Sequence, residues 1–137
     1  MDANLPKVAV VLLAFIDQDG RIMLNRRADA DSEMWELIGG GVEADETPYD
    51  AIRREIEEEV GYKLSDLDDL NLVKVFNFEN HKFSAKVHCF TAIYPGKDKF
   101  MDSDETFVDD IEMFSLEDAN KLVLLPMTRL FLVKANI

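Results

Sequence analysis

The sequence predicts an α+β fold in which a mixed β-sheet carries helices on its faces. Apolar or alternating runs at 7–16, 70–78 and 82–94 read as strands. A capped, amphipathic helix begins at Thr47 between them, and a second helical pattern closes the chain from Met127 to Ala135. Strands on both sides of one internal helix fit either a mixed α+β arrangement or an α/β/α sandwich. At 137 residues, one domain spanning 1–137 is expected.

The elements follow in order. Lys7–Ile16 is rich in Val, Ala and Leu and reads as a buried strand. Asp17-Gln18-Asp19-Gly20 is a turn, and Arg21–Asn25 returns as a second strand. Ala28–Glu33 is a polar loop. Trp35–Ile38 is a short strand running into Gly39-Gly40-Gly41, a run that permits close approach to a ligand or positive φ. Thr47 suits an N-cap, Pro48 the first helical position, and Asp50 a weaker form of the capping box. Gly61 suits the helix stop. After a polar stretch with Asp66, Asp68 and Asp69, Leu70–Phe78 and Lys82–Tyr94 form a long hairpin around Asn80-His81. Pro95–Asp104 is a polar connection and Phe107–Phe114 a further strand. Ser115 caps a short helix through Leu122, and Leu130, Phe131 and Val133 pack the terminal helix.

Composition narrows the function classes. The net charge of −13 opposes binding to nucleic acid or to an anionic membrane, and a polyphosphate would need to arrive with divalent cations. The nine-residue apolar run Val8–Ile16 is too short to span a bilayer, and its flank is a poor basic leader. Cys89 is the single cysteine, expected to be a buried apolar residue. A reducing, cytoplasmic setting follows as the expectation.

The richest segment runs from Gly40 to Tyr62. Glu55, Glu58 and Glu59 stand at i, i+3 and i+4, on one helical face. Like charges about 6 Å apart repel by roughly 2–3 kcal/mol per pair at an effective dielectric near 20, before solvent screening. A chain that keeps this arrangement gains from a bound cation. Taking Glu55 as the zero of a helical wheel, Tyr49, Ile52, Ile56 and Val60 fall between about 60° and 140°. The three glutamates fall between about −60° and +40°, beside the buried stripe at the seam of helix and sheet. Glu57 points to solvent.

Gly40, Glu46, Arg54, Glu55, Ile56, Glu58, Glu59 and Gly61 reproduce the pattern G-x5-E-x7-R-E-aliphatic-x-E-E-x-G. This segment resembles the signature of the Nudix hydrolases, with Tyr62 in a slot that is usually aliphatic. The flanking Arg26-Arg27-Ala28 through Trp35-Glu36-Leu37 is similar to the MutT-type branch, although Ile38 stands where that branch has Pro. The resemblance implies a Nudix-type α/β/α sandwich and hydrolysis of a nucleoside diphosphate linked to another moiety. It implies Mg²⁺, or Mn²⁺, held by Glu55, Glu58 and Glu59, whose hard oxygens favour those ions over zinc. Either Glu58 or Glu59 serves as the base, or the base comes from a later loop with Glu105 as candidate and Asp109 and Asp110 behind it. Arg54 takes an orienting role against a box carboxylate, and Arg27 contacts phosphate. Glu46 holds the loop at the helix start, and Gly40 lies against the substrate.

A nucleoside triphosphate or modified nucleotide is the leading substrate. The chain has Phe76, Asn77 and Phe78 where the ADP-sugar branch carries Pro and the dinucleoside polyphosphate branch Tyr. Phe76, Phe78 and the terminal helix would line the base pocket. The alternative reading is a catalytically silent nucleotide-binding module of the same fold, although no box glutamate is missing. A calcium-binding role has no EF-hand loop to support it. His81 and His88 lack the spacing of a metal pair, and Trp35 reads as core or pocket wall. A homodimer could form through the exposed face of the Leu70–Tyr94 hairpin.

Overall fold

Strand β1 (Lys7–Ile16) forms the spine of the sheet because it is apolar on both faces. Val11, Leu13 and Phe15 enter one core, and Leu12 and Ala14 enter the other. The computed structural model describes residues 5–26, 33–65 and 70–137. Arg27, most of the Ala28–Glu33 loop and the Asp66–Asp69 stretch lie outside the described residues.

Along β1 runs β6 (Ser84–Ile93), parallel and paired over all ten positions, with β5 (Asn71–Glu79) antiparallel beyond it. The opposite edge of β1 is shared. Strand β4 (Ile38–Gly41) pairs with Val10–Leu13, while β2 (Ile22–Arg26) meets β1 at Ile16 and diverges. Strands β3 (Trp35–Glu36) and β7 (Ile111–Phe114) both pair with β2. The run expected as one strand from Trp35 to Ile38 is thus two strands with different partners. The Leu37 N–H is the breakpoint: it donates to Thr128 Oγ1 at 3.2 Å instead of to a neighbouring strand.

Helix α1 (Pro48–Val60) covers the face bearing Val11 and Leu13, placing Ala51, Ile52, Ile56 and Val60 in the core. Helices α2 (Leu116–Ala119) and α3 (Pro126–Lys134) cover the other face. The result is an α+β sandwich around a mixed sheet.

Several expectations are corrected. Tyr49 is 43% exposed and closes the core from outside, edge-on to Phe90 at 5.0 Å. Phe107 does not begin a strand. Asp102 Oδ1 accepts from the Val108 N–H at 2.8 Å, a 3₁₀ turn follows over Val108–Asp110, and the strand starts at Ile111. The helix capped by Ser115 stops at Ala119 rather than Leu122, because the Lys121 and Leu122 N–H groups turn to the i−3 carbonyls of Asp118 and Ala119. Val133 is 69% exposed, since α3 turns the i, i+3, i+4, i+7 set Thr128, Phe131, Leu132 and Ala135 inward.

Candidate active site

The site is built where α1 meets β4. The capping box forms as the spacing predicts: Thr47 Oγ1 accepts from the Asp50 N–H at 3.1 Å, and Asp50 Oδ2 accepts from the Thr47 N–H at 3.2 Å. Gly61 ends the helix at φ 68°, and its N–H donates to the Glu57 carbonyl. These two ends fix the register that sends the acidic face of α1 toward the glycine run.

The glycines permit close approach. None of Gly39, Gly40 and Gly41 has positive φ. A Cβ on Gly40 would fall into the Glu55 carboxylate, 2.6 Å from its Cδ. A Cβ on Gly39 would meet the β1 backbone at the Val11 carbonyl and lie 2.6 Å from Leu12 Cδ2. The Gly39 N–H donates to Glu59 Oε2 at 3.1 Å, tying the helix carboxylate to the strand.

Three carboxylates converge there. Glu55, Glu59 and Glu105 each offer an oxygen within 4.8 Å of the others. Glu105 arrives on the loop before β7, whose shape is held by Ser103 Oγ accepting from the Glu105 and Thr106 N–H groups at 3.2 and 3.1 Å. Glu59 is 3% exposed. Burial pushes its carboxyl up to about 9, with the charge of Glu55 adding to the shift and the Gly39 N–H opposing it. Burial also raises Glu55, opposed by its bond from Arg54. Crowded, buried carboxylates that resist ionisation are the electrostatic counterpart of a cation site.

Arg54 is the organiser. Its Nε and Nη2 bond both oxygens of Glu46 at 2.7 and 2.9 Å, Nη1 reaches Glu55 at 2.9 Å and Glu58 at 3.3 Å, and Nη2 donates to the Gly41 carbonyl at 2.9 Å. The Arg54 bond holds the Glu46 carboxyl down at about 2, helped by the Glu43 N–H donating to Glu46 Oε1 at 2.8 Å. Glu46 therefore fastens the loop to the helix start.

Glu58 is placed differently from the expected set. Its side chain is 55% exposed beside Arg54, outside the group of three. Glu105 takes the third place in that group.

Next to the carboxylates lies a cavity of about 320 Å³ that shares Gly39 and Gly40 with them. Its wall includes Leu37, Phe78, Phe83 and Met127, and its polar groups come from Glu36, Asn80 and Thr128. Phe78 thus lines it. Phe76 does not: it is 7% exposed in the core beneath α3, with Lys134 Nζ 6.0 Å above its ring. Phe76 and Phe78 share one face of β5, and their place along the strand separates them: Phe76 stands opposite the buried Val87 under α3, whereas Phe78 lies toward the turn. Trp35 is half-buried between Phe114, at 5.0 Å, and the Arg26 guanidinium, at 5.7 Å. His81 sits in the β5–β6 turn and His88 on β6. Cys89 is fully buried, and burial pushes its thiol up to about 12. Glu36, Asn80 and Thr128 had not been singled out from sequence, because only the fold brings β3, the hairpin turn and α3 together.

A family model described as NUDIX domain matches residues 5–131. The chain belongs to the Nudix family. Among curated relatives, it is 41% identical over 66 residues to the RNA pyrophosphohydrolase of Halorhodospira halophila, covering 48% of this chain and 34% of that protein. It is 44% identical over 57 residues to the CTP pyrophosphohydrolase of Escherichia coli, covering 40% of this chain and 42% of that protein. The Nudix chain thus matches less than half the length of these relatives. Among solved structures, a MutT protein from Methanosarcina mazei superposes with a TM-score of 0.78 at 24% identity, covering 97% of this chain and 95% of that one. The E. coli ORF135 protein superposes with a TM-score of 0.72 at 26% identity, covering 96% and 89%. Among the described residues, no helix is long and apolar enough to cross a membrane.

Proposed function

We propose that this Nudix chain is a divalent-metal-dependent diphosphohydrolase acting on a nucleoside triphosphate or a modified nucleotide. The observation that carries the reading is the convergence of Glu55, Glu59 and Glu105 beside an apolar cavity of nucleobase scale. The residues fit Mg²⁺ or Mn²⁺: they are hard oxygen donors, and a cation would relieve the crowding that holds Glu59 neutral. When bound, the metal lowers the pKa of a water and neutralises phosphate oxygens.

The chain's own groups do the rest. Arg54 holds Glu55 in place and keeps Glu46 on the loop. The Gly39 N–H orients Glu59. Glu105, on its tied loop, accepts the proton of the attacking water, with Glu59 as the other candidate base. Glu58, on the solvent side of Glu55, completes the metal set from the rim. Gly40 leaves room between the carboxylates and the cavity, which receives the base. The phosphate contact falls, in this reading, to Arg27, which lies outside the described residues. The substrate is a small nucleotide in the cytoplasm, since a surface of net charge −13 repels a long nucleic acid. The complete carboxylate set favours catalysis over a silent binding module.

Turnover tests the reading. The protein is incubated with Mg²⁺ and a panel of nucleoside triphosphates, oxidised nucleotides, ADP-ribose and dinucleoside polyphosphates, and products are separated by chromatography. Hydrolysis that disappears in Glu59→Gln supports it. Equal turnover by the variant, or none from the wild type with either metal, contradicts it.

A further inference from the structure

The core under α1 holds two polar side chains that the hydrolytic chemistry leaves unused. Asn25, near the end of β2, is 0% exposed, and neither its Oδ1 nor its Nδ2 has a hydrogen-bond partner among the described residues. Thr106, which follows Glu105, is 1% exposed, and its Oγ1 is likewise unpartnered among them. Buried polar groups are destabilising unless bonded, and in native proteins an ordered water serves those that no protein group reaches. The fold brings the two to one junction. Asn25 stands opposite Ile111 of β7. Directly opposed residues share a face of the sheet, and so do residues two apart on a strand, so Asn25 faces α1 with Ile111 and Met23, both in the core under that helix. The loop that carries Thr106 covers the same junction. Its Met101 N–H donates to the Val60 carbonyl at the end of α1 at 2.8 Å, and its Asp110 Oδ1 accepts from Arg26 Nη2, next to Asn25, at 2.9 Å.

We propose that Asn25 is a positioning residue for Glu105: its amide and Thr106 Oγ1 share one buried water, and this link anchors the loop to the sheet so that the Glu105 carboxylate stays against Glu55 and Glu59. The proposal rests on the hydrolase reading above, in which Glu105 accepts the proton of the attacking water. Two amide atoms and one hydroxyl match the roughly three bonds that a buried water makes. Ser103 shapes the loop from within, through the Glu105 and Thr106 N–H groups, but it does not join the loop to a strand. Asn25 supplies that join from β2, whose place is fixed by pairing with β3 and β7 on its two sides. An apolar side chain at this position would extend the core of Met23 and Ile111 without desolvating an amide. The amide therefore works against packing, and its use lies in the loop it holds.

The test is a double-mutant cycle of Asn25→Leu and Thr106→Val, each of which keeps the branched shape of the residue it replaces. Each single variant is expected to lower kcat about tenfold with the KM for nucleotide unchanged, because the link acts on Glu105 and not on the cavity. In the metal-free protein, hydrogen exchange at the Glu105 and Thr106 amides should speed up about tenfold in each single variant, while the Ile56 and Val60 amides of α1 stay as protected as in the wild type. A general packing defect would speed exchange in α1 as well. The double variant should match either single variant, because the first substitution already releases the shared water. Absence of turnover in the wild type would overturn the hydrolase reading, while the exchange cycle still tests the link. Unchanged kcat, unchanged protection of the loop, faster exchange throughout α1, or effects that add in the double variant would overturn the proposal.

Discussion

Loading the carboxylate cluster with metal should release a proton, and Glu59 sets the size of the effect. Its carboxyl is pushed up to about 9 by burial and by the charge of Glu55. At pH near 7 only about one such group in a hundred is ionised. A cation needs the ionised oxygen, so binding expels close to one proton per site. Apparent affinity should then rise about tenfold for each pH unit below 9, or about 1.4 kcal/mol per unit. The metal-free protein should show the opposite trend. A native carboxyl held above its unfolded value of 4.5 binds more protons than the unfolded chain, so stability falls as pH rises from about 4.5 toward 9. Calorimetric titration with Mg²⁺ or Mn²⁺, in two buffers of different ionisation enthalpy at pH of about 6, 7 and 8, measures the protons directly. Glu59→Gln should abolish the release and flatten the metal-free stability curve. Wild-type affinity that is flat across this range, with no proton released, would refute the reasoning.

Gly40→Ala places a methyl against the Glu55 carboxylate, so metal affinity should drop at least tenfold while denaturant unfolding shows a loss of about 1–3 kcal/mol. Arg54→Ala leaves Glu46, Glu55 and Glu58 without their shared partner. A loss of about 2 kcal/mol is expected in thermal or urea unfolding, partly recovered by Mg²⁺, and the absence of recovery would count against the cation site. Thr47→Ala removes the N-cap bond and should cost about 1 kcal/mol in urea unfolding, with metal affinity unchanged.

What was legible in the sequence is largely local. The capping box at Thr47 and Asp50 and the Gly61 stop depend on residues within one or two turns, so spacing revealed them. The Arg54 network lies within the same segment and followed from the family pattern. Long-range features were less readable. Glu105 was one of several acidic residues on its loop; Ser103 and Asp102 select it by how they fold that loop. Helical spacing placed Glu58 with Glu55 and Glu59, but a wheel fixes only direction, and Arg54 on the exposed side draws Glu58 to itself. The parallel pairing of β1 with β6 has no local sequence signal, and neither does the split at Leu37, whose N–H is taken by a hydroxyl 91 positions away. The cavity needs all of these at once. That is why Phe76 and Phe78, two apart on one face of β5, read alike in the sequence although only Phe78 lines the cavity.

The central claim is that the α1 carboxylates hold the metal and the adjoining cavity holds the base. A crystal structure with Mn²⁺ and the α,β-methylene analogue of CTP tests both halves through the anomalous signal of the ion. The account predicts Mn²⁺ bound by oxygens of Glu55 and Glu59, with Glu58 or Glu105 completing the set, and the base between Phe78 and Met127. Mn²⁺ on other residues, or a base lying outside that cavity, would contradict it.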